Sequence, residues 1–109
     1  MALTLKVLGQ VAPAATTATD LYTVPGATST VVSTLLVCNR GATSATFRVS
    51  VRVAGAADAT KQYLYYDVAI AKNDTFTATL GVSLAATDVI TVYAGNANLS
   101  FSAFGQEKT

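Results

Sequence analysis

The chain has 109 residues, 51% of them apolar, and seven Lys/Arg against six Asp/Glu for a formal net charge of +1. That length and apolar content suit one domain (1–109) with its own core and exclude wholesale disorder. The near-neutral balance lacks the basic excess of a nucleic-acid binder, and the absence of His removes Ser–His and Cys–His catalysis and every His-ligated metal site.

The first predicted element is a strand over Leu3–Val11, in which Leu3, Leu5 and Val7 alternate with Thr4 and Lys6. A signal peptide is the competing reading of this start. Its basic residue should precede the apolar stretch, whereas Lys6 lies inside it. A loop of small residues, Ala12–Thr19, leads to a short strand at Asp20–Val24, and Pro25-Gly26 fits a type II turn with Gly supplying the positive φ. Thr30–Asn39 is the most apolar strand. Strict alternation puts Val31, Leu35 and Val37 on one face and Val32, Leu36 and Cys38 on the other, as expected of a central strand covered from both sides, or of one with a face inside the fold and a face inside an assembly.

Thr46–Val53 alternates Phe47, Val49, Val51 and Val53 against Thr46, Arg48, Ser50 and Arg52. After a loop at Gly55–Thr60, Gln62–Ile70 is expected to point Leu64, Tyr66, Val68 and Ile70 inward and Tyr63, Tyr65 and Asp67 outward. Lys72-Asn73-Asp74 turns into Thr75–Leu80, where Phe76, Ala78 and Leu80 share a face. Gly81–Thr87 reads as a connection, Asp88–Ala94 as a strand and Gly95-Asn96 as a turn. Asn98–Phe104 is the last strand, with Leu99, Phe101 and Ala103 inward, and Met1-Ala2 and Gln106–Thr109 read as loose tails.

Eight short strands at regular spacing, with no sustained helical period, predict an all-β fold: a single antiparallel β-sandwich with jelly-roll or immunoglobulin-like connections. The composition agrees, with twenty Ala, seventeen Thr and thirteen Val, residues that suit a pleated surface. A folded chain of this mass exposes about 5,700 Å², or roughly 440 Å² per charge. A coat that sparse is easily buried against another protein, so permanent assembly is expected.

Chemistry is hard to build from these residues. Asp20, Asp58, Asp67, Asp74 and Asp88 all sit in or beside turns, where Asp bonds its local backbone, rather than in the paired-carboxylate pattern of a hydrolase. Asn73-Asp74 and Asn96/Asn98 lack calcium-loop spacing, and no phosphate-cradling glycine motif is present. The expectation is no enzyme, no cofactor and no metal. Cys38, the single Cys, reads as a small core residue. No apolar run reaches the roughly 18 residues of a membrane span.

Four residues stand out as candidates for a partner interface. Arg48 and Arg52 share a strand face about 13 Å apart and have two readings, ion pairs with a partner's acids or a solvated face. Tyr63 and Tyr65 suit either a protein interface or sugar stacking, and the lack of Trp favours the interface.

Three stretches in combination carry a resemblance. They are Leu21-Tyr22-Thr23-Val24-Pro25-Gly26 running into Val31–Gly41, then Phe47-Arg48-Val49-Ser50-Val51, and Lys61–Asp67 leading to Asn73-Asp74-Thr75-Phe76-Thr77, with the chain closing on Thr87–Ala94. In this order they resemble small β-sandwich virion structural proteins of tailed bacteriophages, over most of the chain from Asp20 to Gly105. The resemblance transfers no catalytic motif. It implies a structural component of the virion, made in the host bacterial cytoplasm and displayed on the capsid or tail surface. The first expectation is a capsid decoration (cement) protein, a homo-oligomer docked on the major capsid protein without nucleic acid or membrane. The alternatives are a neck, tail, baseplate or fibre-attachment component, and a carbohydrate-binding adhesin module.

Overall fold

The computed structural model describes residues 2–109. They form eight strands: β1 (Leu3–Val11), β2 (Thr19–Thr23), β3 (Ser29–Asn39), β4 (Ala45–Arg52), β5 (Tyr63–Ile70), β6 (Thr75–Leu84), β7 (Val89–Ala94) and β8 (Leu99–Lys108). Sheet A has the order β1-β8-β3-β6 and packs on sheet B, β2-β7-β4-β5. Every strand pair is antiparallel. Only β4 and β5, consecutive in the chain, are neighbours in one sheet; the other connections cross between sheets. This is the jelly-roll order, so the immunoglobulin-like alternative falls away.

The core lies between the sheets. Leu35, Val37, Leu99 and Phe101 meet Phe47, Val49 and Val92 across it, all with essentially no exposure. The Phe47 ring centre is 5.1 Å from Phe76 and 6.2 Å from Phe101, tilted or edge-on as aromatic quadrupoles prefer.

The sequence reading is corrected at several places; Met1 lies outside the described residues, and Ala2 is no loose end but exchanges backbone hydrogen bonds with Thr109. Gln106–Thr109 is no tail: β8 runs to Lys108 in the interior of sheet A, paired with β1 on one side and β3 on the other. β6 continues to Leu84 instead of ending at Leu80. The positive φ after Pro25 falls on Ala27 rather than Gly26. Val32, not Val31, joins Leu35 and Val37 in the core, because a bulge at Ser33 shifts β3 by one residue. There Val32 pairs with Gly105 and Thr34 with Phe104. Cys38, which alternates with buried Val37, is half-buried on the outer side of β3 instead of in the core.

One polar network spans the two sheets. The Tyr22 hydroxyl on β2 donates to the Glu107 carboxylate on β8 and lies 2.8 Å from the Thr30 hydroxyl on β3, while Lys6 on β1 reaches Glu107 at 3.2 Å. The hydrogen bond from Tyr22, and then Lys6, hold the Glu107 carboxyl below its ordinary value of 4.5 against the opposing effect of burial. Burial first, then Glu107, push Tyr22 up to about 12.

The signs of these shifts set a stability profile. The Glu107 contribution is present above the ordinary carboxylate range and is lost as pH falls through the lower folded-state value. The Tyr22 contribution is present below pH 10.0 and is lost as pH rises from there towards about 12. Tyr22→Phe is therefore expected to remove the alkaline loss and move the acid loss to higher pH. Thermal melts followed by circular dichroism across the pH range check this; an unchanged alkaline limb would contradict it.

Candidate functional site

Two surfaces carry chemistry, the outer faces of the two sheets. On sheet B the strand β4 alternates as its sequence predicts up to Arg52, so Arg48 and Arg52 point out while Phe47 and Val49 point in; Val53, expected on the inward face, lies in the turn beyond the strand and is exposed. Neither arginine is free. Arg48 grips Asp67 through Nε–Oδ1 at 2.7 Å and a second contact at 3.3 Å. Its guanidinium carbon lies 4.3 Å from the ring centres of both Tyr66 and Tyr93. The Asp67 hydrogen bond, above all, raises the affinity of Arg48 for its proton further. Arg52 donates to Asp20 at 2.9 Å, to the Thr91 hydroxyl and to the carbonyls of Gly55 and Ala56. The two arginines thus organise their own sheet: one ties β4 to β5 and β7, the other ties β4 to β2 and to the loop after it.

The tyrosines divide differently from the sequence expectation. On β4, Phe47 and Val49 are two residues apart, but their β5 partners Val68 and Tyr65 are three apart. The extra residue is accommodated at Tyr66-Asp67, with Asp67 at φ 50°, and it reverses the phase of the strand. Tyr65 therefore turns inward, its ring centre 5.4 Å from Phe76 and 6.2 Å from Phe47, and is corrected from surface to core. Leu64 and Tyr66, expected inside, are exposed. Tyr63 is half-buried, edge-on to Tyr66 at 4.9 Å and 77°. The Tyr63/Tyr65 pair is not one surface; Tyr63, Tyr66, Arg48 and Tyr93 are.

Asp74 and Asp88 behave as turn residues, whereas Asp20 and Asp67 lie within β2 and β5 and pair with arginines across the sheet. Asp88 accepts the backbone N–H groups of Ala54 and Ala85, each at 2.9 Å, and pins two loops. Asp74 accepts from Thr75 N–H at 2.8 Å. Asp20 and Asp58 converge on Arg52, and Asp20 also accepts from the Thr91 hydroxyl at 3.2 Å. Among the described residues no group of three or more His, Cys, Asp or Glu is placed to hold a metal, and no helix is long and apolar enough to cross a membrane.

The outer face of sheet A is the surface that sequence reasoning missed. Leu3, Leu5 and Val7 are 61%, 78% and 50% exposed. Leu5 among them lines an open groove of about 400 Å³ together with Val31, Phe104 and Gln106. Thr4 and Lys6, which alternate with this row, face the other way, with Lys6 bonded to Glu107. The alternation of β1 was visible in the sequence; its inverted sense, aliphatic side out, follows only from the Glu107 partner one hundred residues away in the chain. No protein-family model, curated protein or solved structure matches this chain.

Proposed function

We propose that this protein is a non-enzymatic virion structural protein of a tailed bacteriophage, specifically a capsid decoration (cement) protein that docks as a small symmetric oligomer on the major capsid protein. The observation that carries the reading is the outer face of sheet A, where an exposed aliphatic row lies beside an apolar groove on a chain with few charges. Contiguous exposed apolar surface marks a contact with another protein. A jelly roll serves capsids and lectins alike, so the fold does not choose between them; the resemblance of the Asp20–Gly105 segment to phage virion proteins favours the capsid. The adhesin alternative is disfavoured by the sheet B face. Tyr63 and Tyr66 stand edge-on instead of forming a flat platform, and Arg48 already covers a face of Tyr66 and of Tyr93.

Quantitative mass spectrometry of purified particles, normalised to the major capsid protein, tests the proposal. Hundreds of copies per particle are expected, because only an icosahedral shell offers so many equivalent positions. Six to a few dozen copies, roughly, would move the protein to the neck, tail or baseplate, and no signal would end the virion reading.

A further inference from the structure

The free edge of β1 has a backbone pattern that names its occupant. Ala2 and Thr109 exchange both of their backbone hydrogen bonds, at 3.2 and 2.9 Å. The pairing then runs without a shift through Leu3↔Lys108, Thr4↔Glu107, Leu5↔Gln106, Lys6↔Gly105 and Val7↔Phe104. In an antiparallel ladder, bonded and non-bonded pairs alternate. Thr4 and Lys6 therefore direct their N–H and C=O groups into β8, while Leu3, Leu5 and Val7 direct theirs away from it. Among the described residues no other strand pairs with that outer edge.

The remaining edges are guarded, and this one is not. β2 has five residues and a bulge between Asp20 and Tyr22. β5 is interrupted twice and carries Asp67. β6 is shifted between Val82 and Thr79 and faces outward with threonines. From Leu3 to Val7, β1 runs unbroken with no proline, and its one charge, Lys6, is on the opposite face and held by Glu107. Edges left in this state pair with another strand.

We infer that β1 pairs antiparallel with β1 of a second copy about a two-fold axis at Leu5, joining two copies of sheet A into one eight-stranded sheet. In this register Leu5 faces Leu5 of the second copy and Leu3 faces its Val7, so all three outward backbone units on each chain are bonded and the aliphatic rows merge into one stripe. Centring on Leu3 or Val7 would leave part of the row unmatched. Lys6 falls opposite Thr4 of the second copy, so like charges are not directly opposed. The inference deepens the proposed assembly role and rests on its oligomeric part; position on a particle does not enter it.

Sedimentation equilibrium and amide hydrogen exchange on the full chain test it. The expected mass is twice the 11.2 kDa of the chain, with the Leu3, Leu5 and Val7 amides exchanging at least about tenfold more slowly as concentration rises through dimerisation. Leu5→Pro removes an N–H that makes no bond inside the chain, a position where an edge strand tolerates proline. It should halve the mass and leave a folded jelly roll by circular dichroism, whereas Thr4→Pro, which removes a bond to β8, should lower the melting temperature of the monomer itself. Leu5→Lys is the second variant and should give the same loss of dimer. A wild-type monomer, a three-fold oligomer, or a dimer that persists in Leu5→Lys with a fast-exchanging amide at position 5 would each overturn the inference. Copy number on the particle would judge the virion reading separately.

Discussion

Phe47→Ala is expected to lower the unfolding free energy by about 3–5 kcal/mol, a large share of the roughly 5–15 kcal/mol that holds a domain of this size together. Phe47 has no exposed surface and sits at the junction of the sheets, in ring contact with Tyr65 on β5, Phe76 on β6 and Phe101 on β8. Truncation leaves a cavity whose walls are three strands pinned by their own ladders, so collapse around it is limited. Tyr63→Ala, at a half-buried position on the outer face, should cost far less. Urea titrations of the two variants check the difference; equal midpoints would mean that the Phe47 cluster is not the centre of the core.

Gly105→Ala is expected to cost about 3 kcal/mol, near the upper end for overpacking. A Cβ at Gly105 would run into the carbonyl of Val31 and lie 3.1 Å from the Cα of Val32. Both obstacles are backbone, so no rotamer change relieves them. The crowding lies beside the β3 bulge at Ser33, where Gly105 pairs with Val32. Gly81→Ala is the matched control. Nothing lies within 4 Å of its would-be Cβ, and losing a glycine from the unfolded chain should stabilise by about 0.4–1 kcal/mol. Thermal melts of the two alanine variants are expected to move in opposite directions; a neutral Gly105→Ala would show that β3 and β8 can separate there.

The two halves of the candidate site were unequally readable, for a common reason. Arg48 and Arg52 were placed on the correct face because β4 is regular from Phe47 to Arg52 against β7. Their partners were not foreseen: Asp67 lies 19 residues on and Asp20 lies 32 residues back, and only the β2-β7-β4-β5 order makes them neighbours. Strict alternation places Tyr65 outward and Tyr66 inward, but one residue accommodated at Tyr66-Asp67 inverts Leu64 to Tyr66, and a second shift between Tyr63 and Tyr65 returns Tyr63 to the outer face. A left-handed Asp in the middle of an apolar run is a signal for such a bulge, since Asp tolerates positive φ better than branched residues. Here it was read as an ordinary outward position.

Strand existence, turn positions and the all-β class were legible in the residue string, because period-two alternation and turn chemistry are local properties of a few neighbouring side chains. The lack of His-based chemistry was legible for a simpler reason, since a residue that is missing cannot be supplied by folding. Sheet order, bulge positions and the outward sense of Leu3, Leu5 and Val7 were decided in three dimensions. Each depends on pairing between segments far apart in the chain: Glu107 must reach Lys6 and Tyr22 before β1 can turn its aliphatic side to solvent. One inserted residue reverses a strand's faces without altering its composition, so the surfaces that carry the proposed function were set by register, a property of strand pairs and not of strands.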